Sequence, residues 1–111
     1  MKGSEAENLA THYLQKQHLV LVERNYRCRY GEIDLIMHDE TILVFFFFKM
    51  RTGSSFGGAI HSITESKQHR LILTANHYLA SLEKIPPCRF DVVLITGQQH
   101  EISWIKNAFG E

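Results

Sequence analysis

The sequence predicts a single α/β domain in which helices cover both faces of a central sheet. Its 111 residues sit near the commonest domain size, so one core is expected. Apolar periodicity switches along the chain in the order helix, three strands, helix, strand, with a small strand after it. The segment Ile42 to Phe48 is apolar throughout. Such a strand belongs in the middle of a covered sheet, because at an exposed edge it would promote aggregation.

The first helix is expected over about Glu5 to Gln17, where Ala6, Leu9, Ala10, Tyr13 and Leu14 recur at helical spacing. Ser4 is placed to cap it, with Glu7 completing a capping box. A short strand follows at His18 to Val22. The polar, basic and aromatic stretch Asn25 to Gly31 then reads as a turn region closed by glycine. Glu32 to Met37 is the second strand, His38 to Thr41 a tight turn, and Ile42 to Phe48 the third strand. Arg51 to His61, with Gly53, Gly57 and Gly58, reads as a loop. Thr64 is the expected N-cap of a helix over Glu65 to Leu82, whose buried stripe is Leu71, Ile72, Ala75, Tyr78, Leu79 and Leu82. Pro86-Pro87 closes that region. Strands over Phe90 to Ile95 and Ile102 to Ile105 complete the chain, with a turn opening at Gly97.

Hydrophobic residues make up 44% and charged residues 22%, which is globular rather than disordered. The formal net charge of zero offers no bulk attraction to nucleic acid, so any phosphate-binding surface must be a local patch. Cys28 and Cys88, the only cysteines, have no CxxC spacing. They fit a reduced cytoplasmic setting and read as small buried hydrophobes. The amino terminus does not follow a signal-peptide pattern, and no apolar run is long enough to cross a bilayer as a helix, so no membrane association is expected. No HExxH, P-loop, GxGxxG or zinc-type Cys/His spacing occurs.

The chemistry-bearing feature is the hairpin from Glu32 to Arg51. Side chains alternate across a strand, so Glu32, Asp34 and Ile36 share a face, as do Phe45, Phe47 and Lys49. A two-residue turn at Asp39-Glu40 pairs 38 with 41, and hence 34 with 45 and 32 with 47. Asp34, Phe47 and Lys49 then project to the same side. Carboxylates on adjacent strands with a lysine beyond them suit metal-assisted phosphodiester cleavage, which needs oxygen ligands and a cation near the attacking water or the phosphate. The bland alternatives are an exposed strand aspartate, a strand-edge lysine, and an acid at a helix start, where the dipole favours it. Arg24, Arg27, Arg29, Lys49, Arg51, Lys67 and Arg70, with Tyr26 and Tyr30 interleaved, form a candidate phosphate-contacting surface; the alternative is a solvated basic loop balanced by nearby acids.

Gly31-Glu32-Ile33-Asp34-Leu35-Ile36, Leu43-Val44-Phe45 with Lys49 and Arg51, Phe56-Gly57-Gly58, Ser62-Ile63-Thr64 with Lys67, Arg89-Phe90-Asp91 and Trp104 to Phe109 together resemble the YraN-like uncharacterised bacterial family. That family is similar in fold to archaeal Holliday-junction resolvases and the wider PD-(D/E)xK nucleases. The resemblance spans essentially the whole chain and implies one nuclease-like domain over residues 1–111. The implied core is restriction-endonuclease-like, αβββαβ, with a mixed central sheet flanked by helices. It implies an Mg²⁺ (or Mn²⁺) endonuclease site with Glu7 and Asp34 as catalytic metal ligands and Lys49 as the catalytic lysine. It also implies nucleic acid, DNA more than RNA, as partner, and a homodimer is plausible because related resolvases pair. Arg27, Arg29, Arg51, Lys67 and Arg70 are the expected nucleic-acid-binding residues, and Lys67 and Gln68 open a helix that often flanks such sites.

One position departs from the family pattern. The glutamate expected two residues before the lysine is Phe47, flanked by Phe46 and Phe48 instead of valines. Three readings stand. Catalysis is lost and a binding or assembly domain remains; or the site is rebuilt around Glu7, Glu32 and Asp34; or the four-phenylalanine run is an altered sequence.

Overall fold

Strands β1 (Val20–Cys28), β2 (Gly31–Asp39), β3 (Ile42–Arg51), β4 (Cys88–Thr96) and β5 (Glu101–Phe109) lie side by side in chain order in one sheet. Helix α1 (Lys2–Lys16) precedes β1, and α2 (Glu65–Leu79) connects β3 to β4. The computed structural model describes residues 2–51, 63–96 and 101–110. Pairing is antiparallel except between β3 and β4, which run parallel. A parallel pair needs a long crossover, and α2 supplies it. The arrangement is thus the mixed-sheet αβββαβ core of restriction-endonuclease-like folds, with β5 added at the edge.

The two helices cover opposite faces, as the all-apolar β3 demands. Ala6, Ala10 and Leu14 of α1 pack against Leu35, Met37, Val44, Phe46, Val93 and Ile95. Ala75, Tyr78 and Leu79 of α2 pack against Ile33, Ile36, Leu43 and Phe45. Each fully buried large aliphatic or aromatic side chain contributes roughly 1.5–3 kcal/mol. Successive β3 residues therefore serve different cores: Phe46 and Phe48 face α1, while Phe45 faces α2.

Several element boundaries differ from the sequence reading. Helix α1 reaches back to Lys2, so Ser4 is inside it rather than capping it. Strand β1 runs on through Asn25 to Cys28, where a polar turn region was expected. Tyr26 explains the extension: it pairs with Ile33 and sets its ring edge-on to Tyr78 of α2, 5.2 Å between centroids. The β1–β2 turn shrinks to Arg29-Tyr30. Arg51 belongs to β3, and the rest of the expected glycine-containing loop lies outside the described residues, as does the turn at Gly97. Thr64 caps α2 as expected, its hydroxyl accepting from the Lys67 N–H at 3.1 Å, but the helix ends at Leu79 rather than Leu82. Strands β4 and β5 are both longer than expected. Neither cysteine is a core residue: Cys28 is half-buried and Cys88 exposed. Among the described residues no helix is long and apolar enough to cross a membrane.

Candidate functional site

The β2–β3 hairpin turns at Glu40-Thr41, one residue later than the sequence reading placed it. Asp39 pairs with Ile42, His38 with Leu43 and Leu35 with Phe46. Glu40 takes the left-handed conformation, φ 56°. Asp39 stays in the strand, its carboxylate taking a hydrogen bond from Arg89 Nη2 at 3.2 Å. Each paired β2 residue therefore meets a β3 partner two positions further along than expected. In this register Asp34 falls opposite Phe47 rather than Phe45.

The paired ladder ends at Leu35↔Phe46, just before that point. Strict alternation breaks there too. Ile33 and Ile36 both face α2, while Leu35 faces α1, so Glu32, Asp34 and Ile36 do not form one regular face. Asp34 sits at this irregularity, half-buried, and accepts the Phe48 backbone N–H at 2.8 Å. A side chain thus replaces the ladder bond where β2 and β3 part. Burial pushes the Asp34 carboxyl up to about 6; the nearby carboxylates of Glu7 and Glu32 add to the rise, and the Phe48 N–H opposes it.

Glu7 lies in α1, half-buried, its backbone carbonyl accepting from the Thr11 hydroxyl at 2.7 Å. Glu32 is exposed and paired with Arg27, Nε to Oε2 at 3.0 Å. Glu7 of α1 and Glu32 of β2 thus each lie within electrostatic reach of Asp34. Lys49 is half-buried on β3, beside Leu94 of β4, and by alternation projects on the side of Phe47. Among the described residues it forms no ion pair with Asp34 or Glu7.

Phe47 stands where the family resemblance implied a carboxylate. A hard divalent cation takes about six oxygen ligands, and a phenyl ring supplies none. Among the described residues no three acid, histidine or cysteine side chains are grouped to hold an ion. The residues present therefore do not fit a complete Mg²⁺ site.

Phe47 instead walls a cleft of about 160 Å³ between the start of β2 and α2, together with Tyr30, Glu32, Lys67, Arg70 and Leu71. Lys67, Arg70 or Leu71, and Thr74 recur at helical spacing, which brings them to one face of α2. Of the expected basic residues, Arg27 is tied to Glu32, and Arg29 lies over the Tyr30 ring, 5.0 Å from its centroid. Lys67 and Arg70 border the cleft, exposed. Arg51 ends β3. Gln68 turns back on its own helix start, its amide donating to the Ile63 carbonyl at 3.0 Å.

A second polar centre had no assigned role in the sequence reading. Asp91 is fully buried, yet it accepts four hydrogen bonds: two from the Arg89 guanidinium at 2.9 Å each, one from Trp104 Nε1 at 2.8 Å, and one from the Asn107 N–H at 2.8 Å. Arg89 also reaches Asp39, so this knot joins β4, β5 and the β2–β3 turn. The ordered Arg89-Phe90-Asp91 and Trp104 to Asn107 segments were the available signal. Nothing in the spacing said that one carboxylate gathers both.

The model for the family described as Uncharacterised protein family UPF0102 matches residues 6–95, a span containing Glu7, Asp34, Phe47 and Lys49. A UPF0102 protein of Nitrosomonas europaea is 58% identical over 111 residues, covering 99% of this chain and 94% of its own length. One of Nitrosomonas eutropha is 56% identical over 110 residues, covering 99% and 94%. One of Psychromonas ingrahamii is 51% identical over 110 residues, covering 99% and 90%. With matches of this extent, the chain belongs to the UPF0102 family.

Proposed function

We propose that this chain is a nucleic-acid-binding domain on an endonuclease scaffold, whose phosphodiester cleavage is weak or absent because Phe47 stands in the motif carboxylate position. The observation that carries the reading is the environment of Asp34. A carboxylate is held half-buried beside two others, at the point where β2 and β3 separate. Confining like charges in a desolvated corner destabilises the fold. Such an arrangement is characteristic of sites that handle a cation or a proton. At the cleft walled by Phe47, Lys67 and Arg70 form no ion pair among the described residues and supply local positive charge on a neutral chain.

The chain's own residues do three things in this reading. Lys67 and Arg70 attract the phosphate backbone, Asp34 fixes the splayed end of the hairpin, and Phe47 excludes water from the place where an ion would sit. The test is incubation with branched, single-stranded and duplex DNA in Mg²⁺ or Mn²⁺, beside Phe47→Glu. Binding with little or no cutting by the native chain, and cutting by Phe47→Glu, is the expected result. Vigorous native cutting that Asp34→Ala abolishes overturns the inactive reading. Absence of binding and cutting in both versions overturns the nucleic-acid reading itself.

A further inference from the structure

We infer that the cleft walled by Phe47 is a binding site for one unpaired nucleotide, its base against the aromatic walls and its phosphate on Lys67 and Arg70. The inference rests on the nucleic-acid reading above and names the ligand of that surface. Its first support is size. About 160 Å³ falls below the roughly 300 Å³ at which small-molecule pockets begin, so the cleft admits a single planar group rather than a whole cofactor.

Its second support is lining chemistry. The walls are mainly apolar, from the rings of Tyr30 and Phe47 and the side chain of Leu71. Free phosphate gains nothing from such walls, whereas a base stacks on them whatever its identity. The hydroxyls at the cleft each have a protein partner. Thr74 is buried and donates to the Arg70 carbonyl at 2.8 Å, and the Tyr30 hydroxyl accepts from Arg29 Nη2 at 2.9 Å. Recognition in this cleft therefore leans on stacking and charge rather than on base-edge readout.

Its third support is charge placement. Glu32 is the acid at the cleft, and Arg27 engages it at 3.0 Å. Lys67, Arg70 and, through Tyr30, Arg29 leave the mouth positive. A base inside a duplex is covered on both faces and cannot enter, so the ligand is unpaired. Phe47 creates this cleft wall and also removes the motif carboxylate. The same residue that weakens cutting thereby supplies a stacking platform.

The test is an amide-resolved NMR titration of the full chain with pentathymidylate, a duplex, and inorganic phosphate. Pentathymidylate is expected to shift the amides of Gly31, Phe47 and Lys67 to Thr74. Phe47→Leu, which keeps an apolar side chain at the wall, is expected to weaken it roughly tenfold. Arg70→Gln, on the exposed helix surface, is expected to weaken it several-fold and to flatten its salt dependence. Phosphate binding as tight as pentathymidylate binding overturns the inference. So does pentathymidylate binding that maps elsewhere or ignores both substitutions, although the nucleic-acid reading then survives. Duplex binding without pentathymidylate binding has the same consequence. Binding of neither nucleic acid overturns both.

Discussion

Asp34 carries the main electrostatic tension of the molecule, because desolvation, Glu7 and Glu32 all act against its charge while one backbone N–H favours it. Its native pKa of about 6 lies above the ordinary value of 3.8, so the folded state holds the proton more tightly than the unfolded chain. The resulting stability is fully present below about pH 3.8 and is lost as pH rises through 6. Between pH 4 and 7 the native chain is expected to lose roughly 2 kcal/mol more than Asp34→Asn, which has no carboxyl there to titrate. Urea unfolding of both proteins at the two pH values checks this; parallel pH profiles would contradict it. Asp91 is the opposite case, a buried charge with its donors fully arranged. Asp91→Ala leaves Arg89, Trp104 and the Asn107 N–H without their acceptor. It is expected to cost about 4 kcal/mol by denaturant unfolding, a large share of a small domain's stability. The residue types at 34 and 47 were legible from the motif. The role of Asp91 was not, because it depends on a β4–β5 contact thirteen residues apart in sequence and on a half-buried arginine fifty residues from Asp39.

At the scale of elements, Gly31 fixes how closely β2 approaches α2. Its φ of 151° is rarely adopted by other residues, and a Cβ there would meet Thr74 Oγ1 at 3.3 Å. Gly31→Ala is expected to destabilise the fold by about 1–2 kcal/mol and to weaken pentathymidylate binding. Unchanged thermal unfolding would contradict the close approach. The helices and strands were legible because their apolar periodicities are strong: α2 begins at its expected cap, and β3 is buried as its run of apolar residues requires. The hairpin register was not. Moving the turn by one residue leaves the apolar alternation of Ile36, Met37, Leu43 and Phe45 consistent, and the ion pair that holds Asp39 in the strand is a tertiary contact. The reach of β1 was hidden for a related reason. Asn25 and Arg27 look like turn residues, and only Tyr26, docked on α2, reveals the strand.

The whole molecule has no net charge, so in the proposed reading nucleic-acid affinity comes from local cations such as those near the cleft. With Arg27 engaged by Glu32, two or three phosphates are neutralised. The log–log salt slope for a single strand is then expected near −2, set by about −0.7 for each phosphate. A slope of −5 or steeper, measured by fluorescence anisotropy, would mean that a much larger surface binds. Fold class was readable at this scale because order and burial pattern leave few alternatives. That Glu7 and Glu32 act on Asp34 was not readable from composition, which carries no distances.

In the proposed reading, position 47, opposite Asp34 in the hairpin register, is where a carboxylate would supply the oxygen ligand that phenylalanine lacks. Calorimetric titration of Mn²⁺ into the native chain, Phe47→Glu, and Phe47→Glu with Asp34→Ala tests it most directly. Phe47→Glu is predicted to bind at least about tenfold more tightly than the native chain, with the second substitution erasing the gain. Equal affinity in all three proteins would contradict the account.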